Sequence, residues 1–231
     1  YNNITTNGSG GSNMGIRSDT SMSNNITSNM VMSNGSSSND GIILNTDTNT
    51  TVVDGNNITT RGTTTSNYGI RIVTRGTSNN ITNNVVNTSG TTTNHGIRLD
   101  TSVNDTIVLN NTINTGGSGS ANEGMIILTR GYRNNFTHNR VLTSGTTDNY
   151  GIRLVTNADF NTVEYNNITT NGTSSSNIGI LSTTSMMNNI TNNVVVTNGS
   201  GTNAEGIRLQ SDSNTTLIAF NNISTQGTSS S

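Results

Sequence analysis

One seven-residue pattern, Asn-x-[Ile/Val]-x-[Thr/Ser]-x-Gly, constrains this chain more than any other feature. It returns nine times, at intervals of 27 or 28 residues, ending at Gly8, Gly35, Gly62, Gly90, Gly117, Gly145, Gly172, Gly199 and Gly227. Its first residue is always asparagine: Asn2, Asn29, Asn56, Asn84, Asn111, Asn139, Asn166, Asn193 and Asn221. Two residues on stands a β-branched residue, Ile4, Val31, Ile58 and Val86 in the first four cases, with Thr or Ser two residues further. The positions between are free, as Asn3, Met30, Asn57 and Val85 show. Fixed and free residues in strict alternation describe a β-strand with one face packed and the other in solvent.

Each period holds two more strands. Five residues before the Ile/Val column runs a second apolar column: Ile26, Val53, Ile81, Val108, Phe136, Val163, Ile190 and Ile218. A third begins at Gly-Ile pairs, such as Gly15-Ile16, Gly69-Ile70 and Gly151-Ile152, with a second inward residue two positions on, as at Ile72 and Leu99. Short strands that are apolar on one face can bury it only if the chain coils and each strand pairs with its counterpart one period later. The predicted fold is all-β: a parallel β-helix, or β-solenoid, with three short strands per coil and eight to nine coils. At about 4.8 Å per coil that is a rod roughly 40 Å long. The inward column alternates Ile and Val from coil to coil, so sister coils form a super-repeat of about 55 residues.

Asn, Thr and Ser make up half of the 231 residues, a composition that without periodicity would read as disorder. The solenoid gives the asparagines a reason. Stacked at the strand spacing, each side-chain amide donates to the carbonyl of the next, so a buried polar column is satisfied along the axis. The Thr column is expected to do the same through its hydroxyls. The repeated glycines, and the asparagines two residues before Gly-Ile (Asn13, Asn39, Asn67, Asn94, Asn122, Asn149, Asn177), suit bends of positive φ.

The Asn column beside a β-branched column, in a coil of this length, resembles the right-handed parallel β-helix repeat proteins, the group with the pectin-lyase-like architecture that includes many surface and fibre proteins. The resemblance covers the whole chain, and it is what implies right-handedness. That fold hosts enzymes, adhesins and passive stalks alike, so it does not choose among them.

Residue chemistry argues against an enzyme. Only six or seven residues join each phrase to the next Gly-Ile anchor, and nothing in the sequence builds a cleft. Acids such as Asp19, Asp47, Asp100, Asp159 and Asp212 are dispersed, without the adjacent pair that glycoside hydrolysis uses. Arg17, Arg71, Arg98, Arg153 and Arg208 share an outward position, read as a solubilising column that discourages stray sheet contacts. His95 and Glu123 share a bend column with Asp40, Tyr68 and Tyr150, and two ligands do not make a metal site, so the pair reads as a surface contact. His138 has no evident partner. No catalytic, cofactor-binding or metal residue is assigned. Without cysteine there is no disulfide or thiolate site, and ten scattered arginines against twelve acids do not favour nucleic acid. No apolar run is long enough to enter a membrane, and no signal peptide is visible.

Seventeen Asn-x-Ser/Thr sequons occur, against about 14 expected from composition alone. Their placement says more than their number. Asn25, Asn80, Asn135 and Asn189 form one outward series; Asn3, Asn57, Asn167 and Asn222 form another on the neighbouring strand in alternate coils. Two coils, about 9.6 Å, separate adjacent sites where a series is unbroken, which relieves crowding of attached glycans.

Residues 1–231 therefore read as one solenoid segment, uncapped at Tyr1 and at Ser231, belonging to a longer array or filament. The expected function is that of an extracellular or cell-surface structural rod, stacking or packing laterally on copies of itself, with covalent glycans. The alternative is a carbohydrate-binding adhesin or carbohydrate-active β-helix protein whose functional loops lie outside the segment.

Overall fold

The computed structural model describes residues 1–200 and 203–227, and the bend at Ser231 lies outside them. Twenty-five strands and no helix occur among the described residues. They form three sheets of nine, eight and eight strands, in which every strand pairs in parallel with those one coil before and after. The nine-strand sheet carries the Asn-x-[Ile/Val] phrase, as in Asn57–Gly62. One eight-strand sheet carries the Gly-Ile strands, as in Thr92–Thr101, and the other is built of three-residue strands such as Ile107–Leu109. The result is a right-handed parallel solenoid of about 8 turns with roughly 27-residue coils.

Register is set by the repeat. Ile58 pairs with Val31 on one side and Val86 on the other, and Val108 sits between Ile81 and Phe136. These side chains stack into one continuous core with Ile70, Ile97, Met125 and Ile152 of the Gly-Ile sheet. Each fully buried aliphatic side chain there contributes about 1.5–3 kcal/mol. Burial depends on having a coil on both sides: Ile113 is 0% exposed in mid-rod, whereas Ile223 in the same column of the last described coil is 44% exposed.

The Asn column is a ladder. Each Nδ2 donates to the Oδ1 of the next asparagine at 2.9–3.0 Å, from Asn2 through Asn221. The same Oδ1 accepts the backbone N–H of the preceding ladder residue, as Asn139 does from Asn111 at 2.9 Å. The second Nδ2 proton goes to carbonyls of the chain, for Asn139 those of Val108 and Thr137. Donors and acceptors are thus matched within a column that is 1% exposed at Asn56, Asn84, Asn111, Asn139, Asn166 and Asn193.

Three details differ from the sequence reading. The Thr column makes a ladder only at its first rung, where Thr6 Oγ1 donates to Ser33 Oγ at 3.2 Å; Oγ1 of Thr60, Thr88, Thr115, Thr143, Thr170 and Thr197 is buried with no partner in the protein. Packing decides this, because the methyl groups face the glycines of the adjoining sheet, as Thr60 Cγ2 faces Gly41. The asparagines before Gly-Ile do not take positive φ; Ser38, Ser66, Thr93 and Ala121, each one residue earlier, do. Those asparagines instead form a second buried ladder, with Asn39 to Asn67 at 2.7 Å and Asn67 to Asn94 at 2.9 Å. Finally, the repeated glycines are required by close approach and not by φ. A Cβ on Gly69 would lie 2.6 Å from the carbonyl oxygen of Gly96 and collide with Val86.

Candidate functional site

The outward residues flanking each Gly-Ile step form the densest group of ionisable side chains. In a straight strand, residues three apart face opposite sides. Here they touch: the Arg71 guanidinium lies 5.1 Å from the centre of the Tyr68 ring, Arg153 is placed likewise over Tyr150, and Arg98 Nη1 lies 3.4 Å from His95 Nδ1. The strand therefore turns at the glycine, and its outer side is a concave elbow. Parallel pairing stacks these elbows in register, giving one column of Asp40, Tyr68, His95, Glu123 and Tyr150 and, beside it, one of Ile43, Arg71, Arg98, Ile126 and Arg153.

The elbow corrects two readings made from the sequence. His95 and Glu123 are not surface residues: they are 3% and 1% exposed. The arginines are not a free solubilising column either. Arg71 pairs with Asp100 at 2.7 Å and approaches Asp40 at 3.9 Å, Arg98 also pairs with Asp100, and Arg153 pairs with Glu123 at 2.7 Å. Acids that look dispersed along the chain are brought together because they lie about one period from their partners. At the ends of the column the pattern is looser, with Arg17 on Asp19 and Arg208 on Glu205, all substantially exposed.

Burial governs the protonation states. Desolvation pushes the Asp40 carboxyl up to about 7, with Arg71 opposing. Glu123 is raised for the same reason, against the pull of Arg153. His95 is held well below its ordinary value, first by burial and then by Arg98. Its contact with Glu123 at 3.7 Å is thus made by a neutral imidazole. Tyr150 is pushed up to about 12 by burial, so its hydroxyl remains protonated and reaches Asp148 at 3.2 Å.

Chemically, the elbow holds an imidazole, two tyrosines and three cation–carboxylate pairs, but these groups contact one another. The His95 imidazole is sealed between Tyr68, Glu123 and Arg98. No group of three or more His, Cys, Asp or Glu close enough to hold a metal ion occurs among the described residues. His138 lies apart on an exposed bend, stacked on Tyr165 at 5.1 Å. Open depressions of about 420 and 340 Å³ lie on the nine-strand sheet, around Asn34 and around Arg61, away from the elbow.

The two sequon series differ in display. Asn3, Asn57, Asn167 and Asn222 are exposed. In the short-strand series Asn25 is exposed, whereas Asn80, Asn135 and Asn189 are half-buried. The residue before each of these, Asn24, Asn79, Asn134 and Asn188, belongs to a third polar column that sequence reasoning missed. In it Asn134 donates to Asn161 at 3.1 Å, and Asn161 to Asn188 at 3.2 Å. The Asn-Asn doublets two residues before the second apolar column were its signal.

No known protein family and no curated protein matches this sequence. Among solved structures, the chain is similar to the periplasmic alginate epimerase AlgG, with TM-score 0.53 and 15% identity over 87% of this chain and 50% of that one. Its T265N mutant gives the same score at 16% identity, covering 87% and 51%. The chain thus spans about half the length of the structures it matches. At this identity the likeness establishes the fold alone. The architecture is that of the right-handed parallel β-helix repeat proteins.

Proposed function

We propose that this chain is a structural rod displayed outside the cytoplasm, one segment of a longer β-helical stalk, fibre or surface layer that associates with copies of itself. The observation that supports this best is the closure of the elbow. Asp40, His95, Asp100 and Glu123 are buried, and the part-exposed Arg71, Arg98 and Arg153 are ion-paired to these carboxylates, while much of the remaining surface presents Asn, Thr and Ser on regular strands. Periplasmic residence of the structural neighbours supports placement beyond the cytoplasm. Electron microscopy of native material tests the reading: filaments much longer than the roughly 40 Å of these coils are expected. Short particles carrying a globular head would overturn it.

A second reading, a carbohydrate-directed protein, draws support from the likeness to an alginate epimerase. It would place an acidic sugar across the elbow, exchanging Asp100 or Glu123 for the sugar carboxylate on Arg71, Arg98 or Arg153.

A further inference from the structure

We propose that Asn57 and Asn167 carry N-linked sugars whose first ring lies flat against the rod, over Met30 and Val85 in one case and Val194 in the other. The inference goes beyond the rod reading and needs only that the chain be exported.

It rests on which residues share a column. Asn57 is paired across the nine-strand sheet with Met30, which Asn3 flanks on its other side, and with Val85, while Asn167 lies between Val194 and the exposed Arg140. Met30, Val85 and Val194 are 37%, 40% and 41% exposed. A lone exposed valine needs no explanation. Three apolar residues in one column, each beside an exposed sequon asparagine, form a pattern that only Thr112 and Arg140 interrupt.

The geometry suits a sugar. Cross-strand neighbours stand about 5 Å apart, within reach of the first ring on an Asn amide. A pyranose offers a C–H face to an apolar side chain and hydroxyls at its rim to water. Thr59, the third sequon residue, faces the same way as Asn57 and is half-buried. Two sites of the short-strand series lack this openness: Oδ1 of Asn135 and of Asn189 is closed off from solvent, and Thr137 and Thr191 are buried.

The transfer itself is a substitution. The Asn side-chain amide nitrogen bonds to the anomeric carbon of a lipid-linked glycosyl diphosphate, the carbon–oxygen bond to the diphosphate breaks, and the amide proton leaves to a base of the transferase. No electrons change hands between oxidant and reductant.

Glycopeptide mapping of native protein should find sugar at Asn57 and Asn167, with Asn135 and Asn189 bare. A brief peroxide pulse then reads coverage. Met30 should oxidise several-fold more slowly in the native protein than after enzymatic removal of the sugars, with circular dichroism showing that the fold is retained. Met186, 38% exposed, serves as the internal reference and should not change. Bare peptides at Asn57 and Asn167, sugar on Asn135 and Asn189 to the same extent, or an unchanged Met30 rate would each overturn the proposal. None of these outcomes bears on filament length, so the rod reading stands or falls separately.

Discussion

The Asn ladder and the elbow are two solutions to one problem, the burial of polar groups in a thin rod. In the ladder the groups are neutral, identical in every coil and satisfied along the axis by bonds of 2.9–3.0 Å. In the elbow they are charged, differ from coil to coil, and leave Asp40 Oδ1, Glu123 Oε2 and Arg153 Nε without partners. Neutral amides lose little on leaving water when fully bonded, at about 1 kcal/mol net gain per bond. Buried ions lose far more, and their pairing returns only part of it. The ladder therefore holds the coils together, while the elbow is tolerated for the specific neighbours it enforces.

Removing one ladder rung at mid-rod should have the largest effect. Asn139→Ala strands the Asn111 N–H and removes one acceptor from the Asn111 amide, leaves Asn166 Oδ1 with only the backbone N–H of residue 139, and should destabilise by roughly 3 kcal/mol. Urea unfolding of the purified protein measures it, and a loss no greater than for an exposed Asn would break the contrast between the two regions.

Gly69→Ala attacks the elbow at its turn. The added methyl lies 2.6 Å from the Gly96 carbonyl oxygen, so the variant should lose about 2 kcal/mol by the same assay.

Asp40→Asn sharpens the comparison through pH. The Asp40 carboxyl is raised to about 7 in the folded chain, above its unfolded value, so folding takes up a proton there. Its contribution to stability is full below the unfolded pKa and is lost as pH rises through the folded one. The variant should therefore gain on the order of 1–3 kcal/mol relative to the parent at pH 8, a difference that shrinks toward zero at pH 4. His95, shifted downward, contributes the opposite slope, lost as pH falls below its ordinary value, and is common to both proteins. Thermal melts across this range check the crossing.

The smallest effect belongs to Thr143→Val. Its hydroxyl is buried and unpartnered, so the valine should be neutral or stabilise by up to about 1 kcal/mol. A clear loss would show that the hydroxyl is bonded after all.

Much of this fold is legible in the sequence because every strand is restated eight or nine times. Column identity at Ile58, Val108 and Ile97 gives burial, and Asn at a constant inward position gives the first ladder. What escapes the sequence is geometry between columns. Alternation puts Arg98 on the outer side of its strand and the sequence places His95 in the bend before it, but outer means solvent only if the strand is straight. The turn at Gly96 folds that side onto itself. The same limit hides the Thr143 hydroxyl, whose direction is chosen by where a methyl fits, and the second ladder, where left-handed residues such as Ser66 precede the asparagines thought to adopt that conformation.

The central claim is that the elbow is closed upon itself, with its ionisable groups serving the fold. The chain has two histidines, so proton NMR of their imidazole C–H signals reads that claim directly. The His95 signal should not titrate at the ordinary imidazole value, and oligomers of uronic acid should leave it unmoved. A His95 titration near the ordinary value of about 6.5, or a shift on adding the oligomers, would contradict it and make the elbow an open site.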